Sequence, residues 1–397
     1  MVDALASRLD NWQEEAPVSA AGAPFRVVVE TDCASYREFA RGSTAAPAQH
    51  SGWIDSWVNN VRSGTIFVTV FRDSSPVFAF GLEVSKTRLF SCARLIGGSH
   101  ANGNFCPTST LLDPAQDKVC VQAAFSALKQ ARPDINLVFA ERLLPELQNR
   151  ANPFAALPTH NSPNVALAAD LTGGFQTVLN RHSGKRKRKR HRYQDRKLAA
   201  AGPIRLIRPK SKSDVEAILA AFFAMKSLRL KKLGLPDVFG SPEVQAFFRD
   251  LFASALADPC PRFFLDALEV DGKLRAVTGS SRLGDRIICD FSGFEDDELA
   301  AASPGEYLLH ENIAAACREG GAIYDLGVGD EPYKRNWCNI ETQHLDLLYP
   351  LDARGRVAAL ALGATSRVKT TIKNSPLAWR LVRAARSRNT AAEHDDS

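Results

Sequence analysis

Residues 286–337, RIICDFSGFEDDELAAASPGEYLLHENIAAACREGGAIYDLGVGDEPYKRNW, decide the fold. An apolar strand, 286–294, runs into a polar loop, and Ser303-Pro304-Gly305 then opens a helix from Glu306 to Arg318. Proline is preorganised for a first helical turn, and glycine lets the backbone approach a ligand closely. The free N–H groups of such a turn, aligned with the helix dipole, make an anion site suited to phosphate. The same residues also fit an ordinary helix start, with Ser303 as N-cap and Glu306 three residues on completing a capping box. Both readings stand on local sequence. After the helix, Tyr324, Leu326 and Val328 alternate with Ile323, Asp325 and Gly327 along a strand. Asp325 therefore shares a face with Gly327 and Gly329, where a ligand has room to approach. Asp330-Glu331-Pro332-Tyr333-Lys334 turns the chain away, and Trp337 follows. A buried Asp325 answered by Lys334 fits a structural ion pair, or a site that fixes an amine or a phosphate.

Working outward, the same order of parts occurs twice. FFLDALEVDGKLRAVTGSSRL (263–283) reads as strand, tight turn at Asp271-Gly272, strand. Upstream, TIFVTVFRDSSPVFAFGLEV (65–84) gives two β-rich runs joined by Asp73-Ser74-Ser75-Pro76, preceded by a strand at 25–30 and a helix from Ser51 to Val61. A strand at LFSCARLIGG, a loop over 98–108, a helix over about 114–131 and a strand at 135–140 complete that set. Aligning the hairpins sets Phe67 near Phe264, a repeat of about half the chain and far too long for a solenoid. Two similar α+β lobes account for it. The expected organisation is a loose leader (1–24), an N-terminal lobe (25–164), a C-terminal lobe (165–350) and a basic tail (351–397). Helices are expected around Val215–Arg229 and Pro242–Leu256.

The SPG helix start followed by YDLGVGDEPYKRNW resembles the FemAB/BioF-like acetyltransferase group of the GNAT superfamily, some of whose members belong to cellulose and exopolysaccharide biosynthesis. The resemblance extends through the Asp271-Gly272 hairpin and FFAMKSLRLKKLG (222–234), and more weakly into the first lobe. It implies tandem GNAT-like lobes, each a mixed β-sheet flanked by helices, with acyl transfer to an amine in the C-terminal lobe or the cleft between the lobes. By the same resemblance Ala302, Ser303, Pro304, Gly305, Glu306 and Tyr307 form the loop that cradles the donor pyrophosphate. Asp325 accepts or orients the acceptor amine, Tyr333 protonates the leaving group, and Lys334 and Arg229 hold an anionic substrate group, with Trp337 a further substrate contact. The implied reaction is N-acylation of a sugar or cell-envelope precursor amine by acetyl-CoA or another acyl-CoA, in a bacterial cytoplasm. The usual GNAT phosphate loop, Gln/Arg-x-x-Gly-x-Gly/Ala, is absent here, where 302–307 holds one glycine. Related Fem peptidyltransferases take aminoacyl-tRNA, so that donor stays open. The loop 98–108 of the first lobe lacks the Ser-Pro-Gly signature, and that lobe is expected to be non-catalytic.

The 397-residue chain has 50 basic and 44 acidic side chains. Residues 181–192 (RHSGKRKRKRHR) hold eight Lys/Arg and residues 354–388 nine, neither with an acid, so the remainder is acidic. Such segregation points to an anionic ligand or surface near those segments. The run 185–190 fits a solvated helix end, an electrostatic funnel for CoA or tRNA, or a nucleic-acid contact; the lack of interleaved aromatics before Tyr193 serves base stacking poorly. In the tail, SPLAWRLVRAARSR (375–388) sets Leu377, Leu381 and Ala385 on one helical face among arginines, fitting a helix docked on the body or on anionic lipid.

No apolar stretch reaches the roughly 18–20 residues that span a bilayer. Residues 1–15 carry four acids and no apolar core segment, so no secretory signal is expected. The eight cysteines form no CxxC pair and read as reduced, mostly buried thiols. The protein is expected in the cytoplasm, with peripheral contact to the inner membrane face left open. The histidines show no metal-ligand spacing, and His310 with Glu306 reads as a helix-surface pair; no metal is expected. GxSxG, Walker and HExxH signatures are absent. Three readings remain: an N-acyltransferase, a non-catalytic scaffold of the same fold, and a nucleic-acid binder through 181–192.

Overall fold

The computed structural model describes residues 24–61 and 64–374. The first half runs β1 (Arg26–Glu30), α1 (Ala34–Arg41), α2 (Ser51–Asn60), β2 (Thr65–Arg72), β3 (Ser75–Lys86), β4 (Ser91–Leu95), α3 (Asp117–Ala131) and β5 (Leu137–Leu143). A small hairpin, β6 (Glu146–Leu147) and β7 (Arg150–Ala151), then leads through β8 (His160–Asp170) to α4 (Gly174–Arg181) and α5 (Gly184–Ala199). The second half runs β9 (Ile204–Ile207), α6 (Lys212–Lys232), α7 (Pro242–Ala255), β10 (Phe263–Val270), β11 (Lys273–Leu283) and β12 (Arg286–Phe294). It continues with α8 (Pro304–Arg318), β13 (Ile323–Val328), the short α9 (Pro332–Arg335), β14 (Ile340–Pro350) and α10 (Ala353–Asn374). Leader residues 1–23 and the 375–388 segment lie outside the described residues.

Twelve strands form one mixed sheet in the order β1-β2-β3-β4-β5-β14-β8-β13-β12-β11-β10-β9. The α+β architecture with a repeated half follows from it. Each half is antiparallel up to one parallel step, β4 with β5 and β12 with β13. The expected tight turns fall at Asp73 (φ 53°) and at Asp271 (φ 52°) with Gly272 (φ 74°), left-handed positions that match the twist of paired strands. At the centre the halves exchange strands. β14, the last strand of the second half, pairs with β5, while β8 pairs with β13, and β14 and β8 pair with each other. The 164/165 position lies within β8, so the two lobes share one continuous sheet.

One face carries an aromatic core common to both halves. Trp53 and Trp57 of α2 meet Phe247 of α7 edge-on at 4.9 Å, and Phe222 of α6 lies 4.2 Å from Phe291 of β12. A fully buried side chain of this size contributes about 2–3 kcal/mol, so separating the halves exposes the largest side chains of the core. On the opposite face α3 covers the first half, and α8 with α5 covers the second. Among the described residues no helix is long and apolar enough to cross a membrane.

Candidate active site

Parallel pairing of β12 with β13 runs from Arg286↔Ile323 to Ile288↔Asp325 and stops. Its end has a local cause. Gly327 adopts φ +68°, and the β13–β8 register slips between Asp325 and Val328, which turns β13 off the sheet line. β12 bulges at the same level, because Ser280 pairs with Cys289 and Gly279 with Phe291, leaving Asp290 without a partner on β11. A cavity of about 480 Å³ opens in the gap, floored by Cys289 to Phe294 of β12 and bounded by Leu326, Val328 and the start of α8.

The start of α8 is not a capping box. Ser303 sits in the left-handed region (φ 54°, ψ 62°) and its hydroxyl caps no backbone amide. Instead Arg190 of α5 donates to Ser303 Oγ at 3.3 Å and pairs with Glu306 at 2.5 Å. The N–H groups of Glu306 and Tyr307 both donate to the Ser303 carbonyl. Pro304 has no N–H, so Gly305 carries the first amide of the turn without a backbone acceptor, and Gly305 lines the cavity. A Cβ there would come within 2.9 Å of the Phe294 ring. Arg229 of α6 holds its guanidinium 4.7 Å over that same ring.

Of the residues singled out in the sequence, the cavity brings together Ser303, Gly305, Glu306, Arg229, Tyr333 and Lys334. Ala302 and Pro304 are buried beneath the loop. Tyr307 points to the far side of α8, where its hydroxyl donates to Asp195 at 3.0 Å and its ring stacks on His191. Asp325 lines a narrower recess beside the cavity. Its carboxylate accepts the Gly327 N–H at 2.7 Å and faces the Arg286 guanidinium at 3.5 Å, and burial raises its pKa. Lys334 does not answer Asp325. Its ammonium donates to the Val328 carbonyl at 3.0 Å and to Glu331 at 3.0 Å, which ties α9 to the end of β13. Trp337 is buried, with the Lys187 ammonium 4.4 Å over its ring. Tyr333 is 41% exposed, yet the desolvation around its hydroxyl raises the phenol above its ordinary pKa, and it is protonated at neutral pH.

Among the cavity residues that sequence reading missed are Asp290, Lys226, Glu331 and Asn102. Asp290 has its Oδ2 atom shut off from solvent without a hydrogen-bond partner, and burial pushes its pKa up to about 7. The signal was present: a lone acid in the apolar run RIICDF. Lys226, one turn before Arg229, donates to the Ser292 carbonyl at 3.2 Å, and burial lowers its pKa. Glu331 lies at the rim. Asn102 comes from the first half, and nothing in the local sequence of either segment joins it to residue 290.

In the first half the corresponding gap is filled by the chain itself. β4–β5 pairing stops at Arg94↔Phe139, and Asn104 then bridges to Leu143, with its N–H donating to the Arg142 carbonyl at 2.8 Å.

The basic run is the helix α5, packed along α8 through the Arg190–Glu306 and His191–Glu311 pairs, while Lys187 reaches Trp337 just beyond α9. Lys185, Arg186, Lys189 and Arg192 remain exposed. His191, His310 and Glu311 gather their nitrogen and carboxylate atoms within 4.8 Å. The two imidazoles are stacked at 3.6 Å and 15°, so their in-plane lone pairs do not converge on one ion as arranged; both lean on the Glu311 carboxylate, whose pKa they lower to about 2.

Residues 185–335 match the family model described as an acetyltransferase (GNAT) domain. Among solved structures, FemX is similar at a TM-score of 0.55 with 10% identity, over 81% of this chain and 97% of FemX. L-PGS from Bacillus licheniformis is similar at a TM-score of 0.50 with 10% identity, over 88% of this chain and 98% of that one. No curated protein matches the sequence. At such identities the structural likeness speaks for the fold.

Proposed function

We propose that the chain, whose residues 185–335 match the acetyltransferase (GNAT) domain model, is an acyltransferase that moves an acyl group from acyl-CoA to an amine of a sugar or cell-envelope precursor. One observation carries the reading: the cavity between the parted strands β12 and β13 meets the Ser303-Pro304-Gly305 helix start. The donor pyrophosphate rests on the Gly305 amide at the positive end of α8, beside Arg229, and the thioester enters the gap. The amine nitrogen attacks the thioester carbonyl carbon. As the C–N bond forms and the C–S bond breaks, Asp290 takes the amine proton and the thiolate takes one from the Tyr333 phenol. A carboxylate with a pKa near 7 is matched to that task at neutral pH. Lys334 places its positive charge near the collapsing intermediate while its own hydrogen bonds hold α9 in place. The N-terminal half is proposed to be non-catalytic, its own gap being closed.

A second donor has support of its own. The exposed cations of α5 flank the donor loop, which suits a tRNA-borne aminoacyl group, at the same acceptor chemistry.

The test is a thermal-shift titration with acetyl-CoA, longer acyl-CoAs, free CoA and charged tRNA. A ligand at about 100 times its dissociation constant stabilises the fold by about 2.7 kcal/mol. Stabilisation by CoA species that is lost in Gly305→Glu and weakened in Arg229→Ala is the expected result. Stabilisation by charged tRNA alone favours the second donor. No response to either donor overturns the acyl-transfer reading.

A further inference from the structure

The inner face of α10 is fastened to the sheet. Ala358 and Leu362 pack with Cys92, Leu137 and Leu348, and at Gly355 the backbones come so close that a Cβ would lie 1.8 Å from the Asn136 carbonyl oxygen. Among the described residues nothing covers the start of its outer face. Val357 is 70% and Leu360 76% exposed, flanked by exposed Arg354 and Arg356. Ala361 and Ala364, both exposed, carry the small apolar row on by one more turn. A second apolar point stands beside it. Leu89, at the tip between β3 and β4, is 81% exposed between Arg88 and Phe90, and Phe90 belongs to the same small core as Ala358. Acids nearby are already engaged: Asp134 by Arg132 and Lys86, Asp352 by Lys129.

We propose that this face, the outer row of α10 with the Leu89 tip, docks on an anionic lipid bilayer. The sign of the charge selects the occupant. Residues 354–388 carry nine Lys/Arg and no acid, so a second copy of the same helix would be repelled, and a polyanion without apolar surface would leave Val357, Leu360 and Leu89 in water. An anionic bilayer takes both, its headgroups meeting the arginines and its upper acyl region the apolar row. The inference is independent of the acyl-transfer reading, because no described residue of α10 or of the 87–90 turn lines the cavity.

The test is flotation of the full chain with vesicles of phosphatidylcholine alone and with about one-third phosphatidylglycerol added. The expected result is flotation only with the anionic vesicles, weakened by high salt. The Arg354→Gln/Arg356→Gln variant should partition about ten- to thirty-fold less. The Val357→Ser/Leu360→Ser variant should lose about tenfold or more. Both pairs are exposed, and an unchanged melting curve certifies their fold. Flotation equal for wild type and both variants, or none with anionic vesicles at low salt, overturns the proposal. So does a dimer, seen by light scattering, that Leu360→Ser dissolves.

Discussion

Asn102 of the first half donates its side-chain amide to the main-chain carbonyl of Asp290 in the second half at 2.8 Å, across 188 residues of sequence. The same amide lies 3.4 Å from the Cys289 carbonyl, and its oxygen sits where a Cβ on Gly327 would come within 3.0 Å. Asn102 is thus wedged into the split between β12 and β13. The wedge is anchored from behind, because Gln49 donates to Asn104 Oδ1 at 2.9 Å and the Leu144 N–H donates to the Asn104 carbonyl. The half whose own gap is closed supplies a wall to the gap that is open.

Asn102→Ala removes the donor and leaves a carbonyl at the β12 bulge unpaired. A loss of about 1–2 kcal/mol in chemical denaturation is expected. Asn102→Asp adds a carboxylate beside Asp290 and should move the acidic limb of the pH–rate profile upward, which loss of packing alone does not do. Wild-type stability and an unmoved profile in both variants would mean that the wedge is dispensable.

Asp290→Asn separates two consequences of one buried acid. The folded pKa of about 7 lies above the ordinary carboxylate value, so the native state binds the extra proton between roughly pH 4 and 7. The sign follows: the wild type loses stability as pH rises through that window, and Asn, with no charge to bury, does not. Asp290→Asn should therefore match the wild type near pH 4 and exceed it by about 2–4 kcal/mol at pH 8, while amine acylation collapses. Urea titrations at the two pH values read the first effect. A variant less stable at pH 8 than the wild type contradicts a buried carboxyl of raised pKa.

Much of this architecture was legible in the sequence because hairpins and amphipathic helices are local. The Asp73 and Asp271 turns, the β2–β3 and β10–β11 hairpins and the α8–β13 step follow from spacing and turn chemistry. The exchange of β8 and β14 was not, since a strand's partner depends on which edge is free once both halves fold, and no period in the chain encodes that. The site divides in the same way. Gly305, Tyr333 and Lys334 belong to one continuous motif, whereas the 102–290 contact exists only through tertiary structure. Asp325 and Lys334 share a motif yet answer different partners, Arg286 and Glu331, because Gly327 turns the chain between them.

Tyr307 tests how far the donor loop extends. Its hydroxyl donates to Asp195 and its ring stacks on His191, both on α5 and away from the cavity. Tyr307→Phe keeps the ring and deletes one hydrogen bond, so a loss of about 1 kcal/mol in stability is expected, with acyl-CoA binding by calorimetry unchanged. A drop in affinity would return Tyr307 to the donor site.

Gly355→Ala probes the seat of α10. In an isolated helix the change is favourable by about 1 kcal/mol, since alanine costs less conformational entropy than glycine. Here the added Cβ would lie 1.8 Å from the carbonyl oxygen of Asn136. That carbonyl cannot yield cheaply: it accepts the Leu351 N–H at 2.8 Å, and the Asn136 side chain is tied to Ser91 and Asp352. The helix must move instead, pulling Ala358 and Leu362 out of their small core, at a net cost of about 2 kcal/mol or more. Limited proteolysis should then cut within the first turns of α10 faster than in the wild type. Acyl-CoA binding should be unaffected, because no described residue of α10 lines the cavity. Unchanged proteolysis would show that the helix shifts without leaving the sheet, and the close approach at Gly355 would then not be what fastens it.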